Sequence, residues 1–201
     1  MPDWDAAYRE SPQPLFGGEP SEFVRQVSER HEFNAESALF LADGDGRNGR
    51  WLASTGVKVT AIDLSSVATE QALANDQVAN VSVARAVGDL ENWQFDEHDR
   101  WDAVFLIFLQ CESRVRNAIV RAACRHLSPG GWFVAEGFSV DREATGMLGP
   151  KDPDLLYNIS DLKAACKGLH IVEAGTLVSD LNEGVRHQGK AAVARLVARR
   201  L

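Results

Sequence analysis

The sequence predicts an α/β fold: a three-layer α/β/α sandwich on a mostly parallel, seven-stranded sheet that ends in an antiparallel hairpin. Three observations carry this expectation. Short apolar runs alternate with helix-like stretches from residue 20 to about 138, the pattern of a parallel sheet with helices on both faces. A glycine-rich turn follows the first apolar run. Two strand-like runs flank a turn near the C-terminus.

The elements follow in order. Residues 1–19 hold Trp4, Tyr8, Pro12, Pro14 and Phe16 and read as an extended arm, with residues 20–201 as one domain. Pro20 opens a helix with Phe23, Val24 and Val27 at helical spacing. Residues 38–42 (Ala-Leu-Phe-Leu-Ala) form a buried strand. A helix carrying Trp51 and Leu52 stops at Gly56. Residues 57–62 are a second strand, and Ser65 or Ser66 caps the next helix. Strands over 81–87 and 102–108 follow, and the 102–108 run, almost wholly apolar, is central. The link between them is short for a crossover helix and predicts a stub helix or an extended crossing. A helix over 115–127 ends at Ser128-Pro129-Gly130-Gly131, and 132–138 is the fifth strand. Residues 141–160, with Gly146, Gly149, Pro150 and Pro153, break the pattern as a long loop, either a lid or a docking surface. A helix over 161–167 precedes strands 169–181 and 190–198, joined through Asn182-Glu183-Gly184. Trp51 and Trp132 sit on apolar patterns and read as core.

Composition narrows the function classes. Hydrophobic residues are 45% and charged residues 25% of the 201, the profile of a globular domain. No run approaches the roughly 20 apolar residues that span a bilayer, and no signal peptide is evident at Met1-Pro2-Asp3, so the expected location is cytoplasmic. Cys111, Cys124 and Cys166 contain no CxxC pair, so neither a disulfide framework nor a metal site is expected. A net charge of −8 argues against a nucleic-acid partner.

The informative segment is Gly44-Asp45-Gly46-Arg47-Asn48-Gly49, a G-x-G-x-x-G turn between strand one and helix one. Asp63 ends strand two, where a carboxylate can accept from both hydroxyls of a ribose. This context makes the sheet Rossmann-like and the ligand a nucleoside derivative. Asp43 and Asp45 in the turn would repel a pyrophosphate but not the ammonium and sulfonium of S-adenosylmethionine (SAM). Asp89-Leu90 after strand three suits the adenine amine and ring. The chain also lacks a second nucleotide-binding half and a Tyr-x-x-x-Lys pair. SAM is therefore the expected cofactor, with NAD the alternative.

Several segments together resemble the small SAM-dependent methyltransferases of the tellurite-resistance type, a class I group. They are Leu15-Phe16-Gly17-x-x-Pro20-x-x-Phe23, Leu41 to Asn48, Val59 to Ser65, Asp89-Leu90, Trp101-Asp102-Ala103, Leu127 to Gly131, and Glu183-Gly184-x-x-His187-x-Gly189. The likeness spans nearly the whole chain. Phe40 and Ala42 stand where most class I enzymes have an acid and a glycine, Ser21 replaces an asparagine, and Gln110 replaces a common histidine. The resemblance implies a SAM pocket at the carboxyl ends of strands one to four. Gly44 and Gly46 would permit approach to the methionine part and Asp63 would hold the ribose, with Asp43, Asp45, Asn48, Leu64 and Ser65 also among the cofactor-binding residues. Asp89 and Leu90 would hold adenine, Ile107 would contact the cofactor's amino-acid end, and Phe16 would cover the site.

Methyl transfer needs alignment and water exclusion more than a protein nucleophile. If a base is required, the candidates are Glu136, His187 and Glu112, with Gln110 as an orienting group. The expected activity is methylation of a small-molecule acceptor. The alternatives are an NAD-dependent oxidoreductase and a SAM-binding partner protein without catalysis.

Overall fold

The computed structural model of the chain describes residues 2–142 and 148–201; Gly146, singled out above, lies outside them. Seven strands form one sheet in the order β3-β2-β1-β4-β5-β7-β6. They are β1 (Ser37–Leu41), β2 (Lys58–Asp63), β3 (Val83–Val87), β4 (Trp101–Ile107), β5 (Leu127–Phe138), β6 (His170–Glu183) and β7 (His187–Arg199). The first five pair in parallel. β7 runs antiparallel between β5 and β6, so the hairpin inserts its second strand into the sheet.

Alternation along the central strands separates two cores. Ala38 and Phe40 of β1 and Ala103 and Phe105 of β4 pack beneath α2 (Glu22–Ser28) and α3 (Arg47–Ser54). Leu39, Leu41, Val104 and Leu106 face α5 (Ser113–Arg125) and α6 (Ile159–Ala165). Both faces of β1 and β4 are covered, which is why residues 38–41 and 103–107 read as unbroken apolar runs. Helix α4 (Ser66–Ala79) lies beside α3 along β2 and β3. Trp132 is buried as expected, whereas Trp51 is half-buried beneath the Arg25 guanidinium, 5.2 Å from its ring centroid.

The N-terminal arm differs from the sequence expectation. Instead of running extended, Trp4–Glu10 forms a helix, α1, capped by Asp3 Oδ1 accepting from Ala6 N at 3.0 Å. Trp4 and Tyr8 lie one turn apart and join Leu15, Phe16 and Ala68 in a small apolar cluster. Docking this face against α4 supplies the burial that a seven-residue helix needs. Asp5 accepts from Ser65 Oγ at 2.6 Å, from Ser66 Oγ and from Val67 N, adding a carboxylate to the N-terminus of α4.

One expectation held between its two alternatives, and two further boundaries moved. The β3–β4 link is the extended crossing, with turns and no helix. Ser128–Gly131 is not a free turn but an irregularity inside β5: Trp101 pairs with Leu127 and Ala103 with Trp132. The hairpin turn falls at 184–186, with Glu183 opposite His187. Beyond the undescribed residues, the irregular segment is pinned to the sheet end. Leu156 and Tyr157 are buried, and Tyr157 donates its hydroxyl to Leu109 O at 2.9 Å. No helix among the described residues is long and apolar enough to cross a membrane. The three cysteines are buried and free.

Candidate functional site

The strand order reverses between β1 and β4, and a cleft opens at their carboxyl ends, where open α/β sheets bind ligands. The cleft encloses about 910 Å³ including its mouth. β1 and β4 each run into a non-glycine residue with left-handed backbone, Ala42 (φ 61°) and Phe108 (φ 54°). Such conformations are strained and cluster at functional sites. Ala42 stands where the resemblance expects glycine, and its backbone takes a conformation glycine would adopt freely.

Beyond Ala42 the turn is held by side chains from several elements. Asp43 accepts from Gly49 N at 3.2 Å and from Arg85 Nη1 at 2.9 Å. Arg85, on β3, also grips Asp76 of α4 through two bonds of 2.7 and 2.9 Å. Burial pushes the Asp43 carboxyl up to about 6 against the opposing pull of Arg85. The Asp43 carboxylate is thus engaged by Arg85, and Asp45 carries the turn's remaining acid. Gly46 and Ser65 do not line the cleft. A Cβ on Gly46 would lie 2.4 Å from Arg85 Nη2, so that glycine makes room for the Arg85 bridge rather than for a ligand. Ser65 caps α4, accepting from Ala68 N at 3.0 Å.

Asp63 sits at the tip of β2 and lines the cleft. One carboxylate oxygen accepts from Gly44 N at 2.7 Å and the other from Ser65 N at 2.9 Å. Burial raises its pKa, while those two backbone bonds oppose the shift. Among the described residues, no side-chain cation forms an ion pair with it. Each oxygen keeps further acceptor capacity.

Phe16, Asp43, Gly44, Asp45, Asn48, Leu64, Asp89, Leu90 and Ile107 line the same cleft, as do Gln110 and His187. Asp89 accepts from Glu91 N at 3.0 Å and Asn92 Nδ2 at 2.8 Å, which fixes its side chain. Glu136 is elsewhere. It is buried below the cleft, accepting from Arg195 Nε at 2.7 Å and Ser21 Oγ at 3.1 Å. Ser21 N in turn donates to Asn48 Oδ1 at 2.8 Å. Glu112 is exposed at the N-cap of α5 and does not line the cleft.

Other residues of the site escape a reading along the sequence. Trp4 and Tyr8 of α1 line the cleft, and Tyr8 lies so close to Gly44 that a Cβ there would meet its hydroxyl at 2.2 Å. Arg47 lines the cleft and joins three segments, donating to Glu19 O at 3.0 Å and to Glu183 Oε2 at 2.6 Å. Its place inside the glycine motif was the available signal. Glu183 was signalled only as the first residue of the Glu183-Gly184-x-x-His187 segment, without a role, and nothing local in the sequence gives Tyr8 or Phe108 one.

His187 opens β7 and is 2% exposed. Its Nδ1 faces Glu183 Oε2 at 3.4 Å. The rings of Phe108, Phe16 and Phe138 lie 4.4, 4.7 and 5.2 Å from its own. Burial lowers its pKa, opposed by Glu183. The arm holds this arrangement from outside: Arg186 N donates to Leu15 O at 3.0 Å, and Gly17 packs on Gly184.

Comparisons with known proteins agree with this geometry. A family model described as a methyltransferase domain matches residues 38–131, just under half of the chain. No curated protein sequence matches. Among solved structures, one described with the conversion of a disulfide bond into a thioacetal group during echinomycin biosynthesis is 20% identical. Its TM-score is 0.76, with 98% of this chain and 90% of that chain covered. TehB from Haemophilus influenzae is 18% identical with a TM-score of 0.71, covering 89% of this chain and 61% of its own length. Magnesium protoporphyrin IX methyltransferase from Synechocystis PCC 6803, with bound SAM, is 14% identical with a TM-score of 0.63, covering 89% of this chain and 76% of that chain. The fold is that of the class I SAM-dependent methyltransferases.

Proposed function

We propose that this chain is a SAM-dependent methyltransferase acting on a small-molecule acceptor. The observation that carries the proposal is the charge of the cleft beneath the glycine turn. Five carboxylates line it, Asp43, Asp45, Asp63, Asp89 and Glu91, against one guanidinium, Arg47. Arg85 engages Asp43 and Glu183 engages Arg47, so the cleft stays acidic. Such a wall suits a cationic sulfonium ligand and opposes the pyrophosphate of NAD. The finer likeness, to the tellurite-resistance type, rests on the sequence motifs and is supported by one structure at 18% identity.

In this reading Asp63 accepts from the ribose diol, with both oxygens already oriented by backbone N–H groups. Leu64 and Leu90 flank the adenine and Asp89 accepts from its amine. Asp45 offsets the ligand's positive charge. When bound, SAM supplies an electrophilic methyl group on a sulfonium that leaves as a neutral thioether. No protein acid is therefore needed at sulfur, and the remaining work is alignment and water exclusion. Trp4, Tyr8 and Phe16 exclude water from the arm side.

Calorimetric titration tests the reading. SAM should bind more tightly than NAD(H), and Asp63→Ala should weaken SAM binding by about 1.5–3 kcal/mol, the range for hydrogen bonds to a charged group. Tighter NAD(H) binding, or unchanged SAM affinity in a folded Asp63→Ala protein, would overturn it.

A further inference from the structure

Buried polar atoms that lack a partner are rare, and each asks for an explanation. Among the described residues four such side-chain atoms occur: Ser28 Oγ, Asn117 Oδ1, Trp132 Nε1 and His187 Nε2. Of these residues only His187 lines the cleft. Its other nitrogen, Nδ1, faces a carboxylate, which only accepts. That pairing places the ring proton on Nδ1 and leaves a lone pair on Nε2. Glu183 cannot swing away, because Arg47 Nη2 holds the same oxygen at 2.6 Å. The result is an imidazole with fixed tautomer and orientation, and with one basic nitrogen unused.

The surroundings restrict what that nitrogen can meet. Phe16, Phe108 and Phe138 form an apolar nest around the ring. The charged groups facing it are Glu183 and Arg47, which pair with each other. Among the described residues, the cation and the carboxylate that face the ring are thus already engaged with each other, and neither is left to fix an oxyanion or an ammonium beside Nε2. An uncharged molecule with an apolar body and one protic group would satisfy both the nest and the orphan nitrogen.

Resting on the methyltransferase reading, we propose that the acceptor is a small uncharged thiol or phenol and that His187 Nε2 accepts its proton as the methyl group is transferred. The acceptor's sulfur or oxygen forms the new bond to the methyl carbon while the carbon–sulfonium bond breaks, and that electron pair stays on the departing sulfur. The acceptor's proton passes to Nε2. One positive charge is lost at the sulfonium and one appears on the imidazolium, where Glu183 stabilises it. Thiols and phenols suit a neutral imidazole because their ordinary pKa values, about 8.5 and 10, are within its reach. Burial favours the neutral base before transfer.

The test uses the full chain. SAM affinity is measured first, for the wild type and His187→Gln. Turnover is then followed with an alkanethiol, a phenol, selenite and a primary amine. In parallel, the ¹⁵N signal of His187 Nε2 is monitored in the wild-type adenosylhomocysteine complex as each acceptor is added. Turnover should be confined to the thiol or the phenol and should fall by about 100-fold or more in His187→Gln, the usual scale of general-base catalysis. SAM affinity should be kept, the acidic limb of the kcat–pH profile should disappear, and the Nε2 signal should move with the acceptor that turns over. A folded His187→Gln protein with near wild-type turnover overturns the inference. So does turnover of selenite or the amine alone, or of none of the four, by a protein that binds SAM. If His187→Gln does not fold, the wild-type titration decides, and an unmoved Nε2 signal overturns the inference. Absence of SAM binding overturns the methyltransferase reading itself.

Discussion

The turn after β1 and the hairpin tip that opens β7 border one cleft, yet they treat buried polar groups differently. At the turn, Asp43, Asp76 and Arg85 satisfy one another through three ion-pair hydrogen bonds of 2.7–2.9 Å. At the hairpin tip, Glu183 and Arg47 pair, while His187 keeps one nitrogen open. Both regions are deeply buried, so desolvation does not separate them. What differs is what each has left to offer. At the turn the Asp43–Arg85–Asp76 set is spent on holding a backbone shape, and the hairpin tip retains a directed lone pair. A binding scaffold gains from rigidity, whereas a reacting end requires an unfilled valence.

Changes that break the first arrangement should have the largest effect. Arg85→Ala leaves Asp43 and Asp76 buried without a countercharge and should cost about 3–5 kcal/mol in urea unfolding. A loss under about 1 kcal/mol would mean that the triangle does not organise the turn.

The second arrangement can be probed with pH. His187 has a folded pKa below its ordinary 6.5, so near pH 6 the unfolded chain binds the additional proton. The stability this residue contributes is complete above 6.5 and is lost as pH falls from there through the lower folded value. Asp43, raised to about 6, acts with the opposite sign, its contribution growing as pH falls from about 6 toward its ordinary value. The wild type should therefore lose stability on acidification relative to His187→Gln, read as the difference between their Tm–pH curves. Parallel curves would remove His187 from the account.

Smaller effects sharpen the contrast between strained and ordinary backbone. Ala42→Gly relieves a left-handed conformation but adds freedom to the unfolded chain, and a net gain of about 0.5–1 kcal/mol is expected. A loss would indicate that the Ala42 methyl group packs more favourably than its backbone is strained. Smallest of all, Arg30→Ala breaks the partly exposed pair with Glu173, 2.9 Å apart, and should change stability by less than about 0.5 kcal/mol.

The parts of the site legible in the sequence are those built by contiguous residues. Gly44 and Asp63 follow buried strands at fixed spacing, and both lie at the cleft. Gly46 shows the limit of that logic, since its spacing matches a ligand-binding motif while its space is taken by Arg85, distant in sequence. Glu136 is a similar case. A carboxylate near a strand end resembles a base until Arg195, its cross-strand neighbour in β7, is found bound to it. The arm was misread because a seven-residue helix has no stability that its own sequence reveals; its partner is α4.

The amino-acid order alone determined the alternation of strands and helices, the glycine turn, the acid at the tip of β2 and the closing hairpin. Each is encoded in a local window, through periodicity, backbone freedom or turn chemistry. Only the assembled molecule decided that Arg85 would engage Asp43, that α1 would fold and lie against Gly44, and that His187 would be sealed among three phenylalanines with one nitrogen unsatisfied. Those outcomes depend on which distant side chains share a desolvated space, and burial rather than chain order sets the energy of a charge or a lone pair.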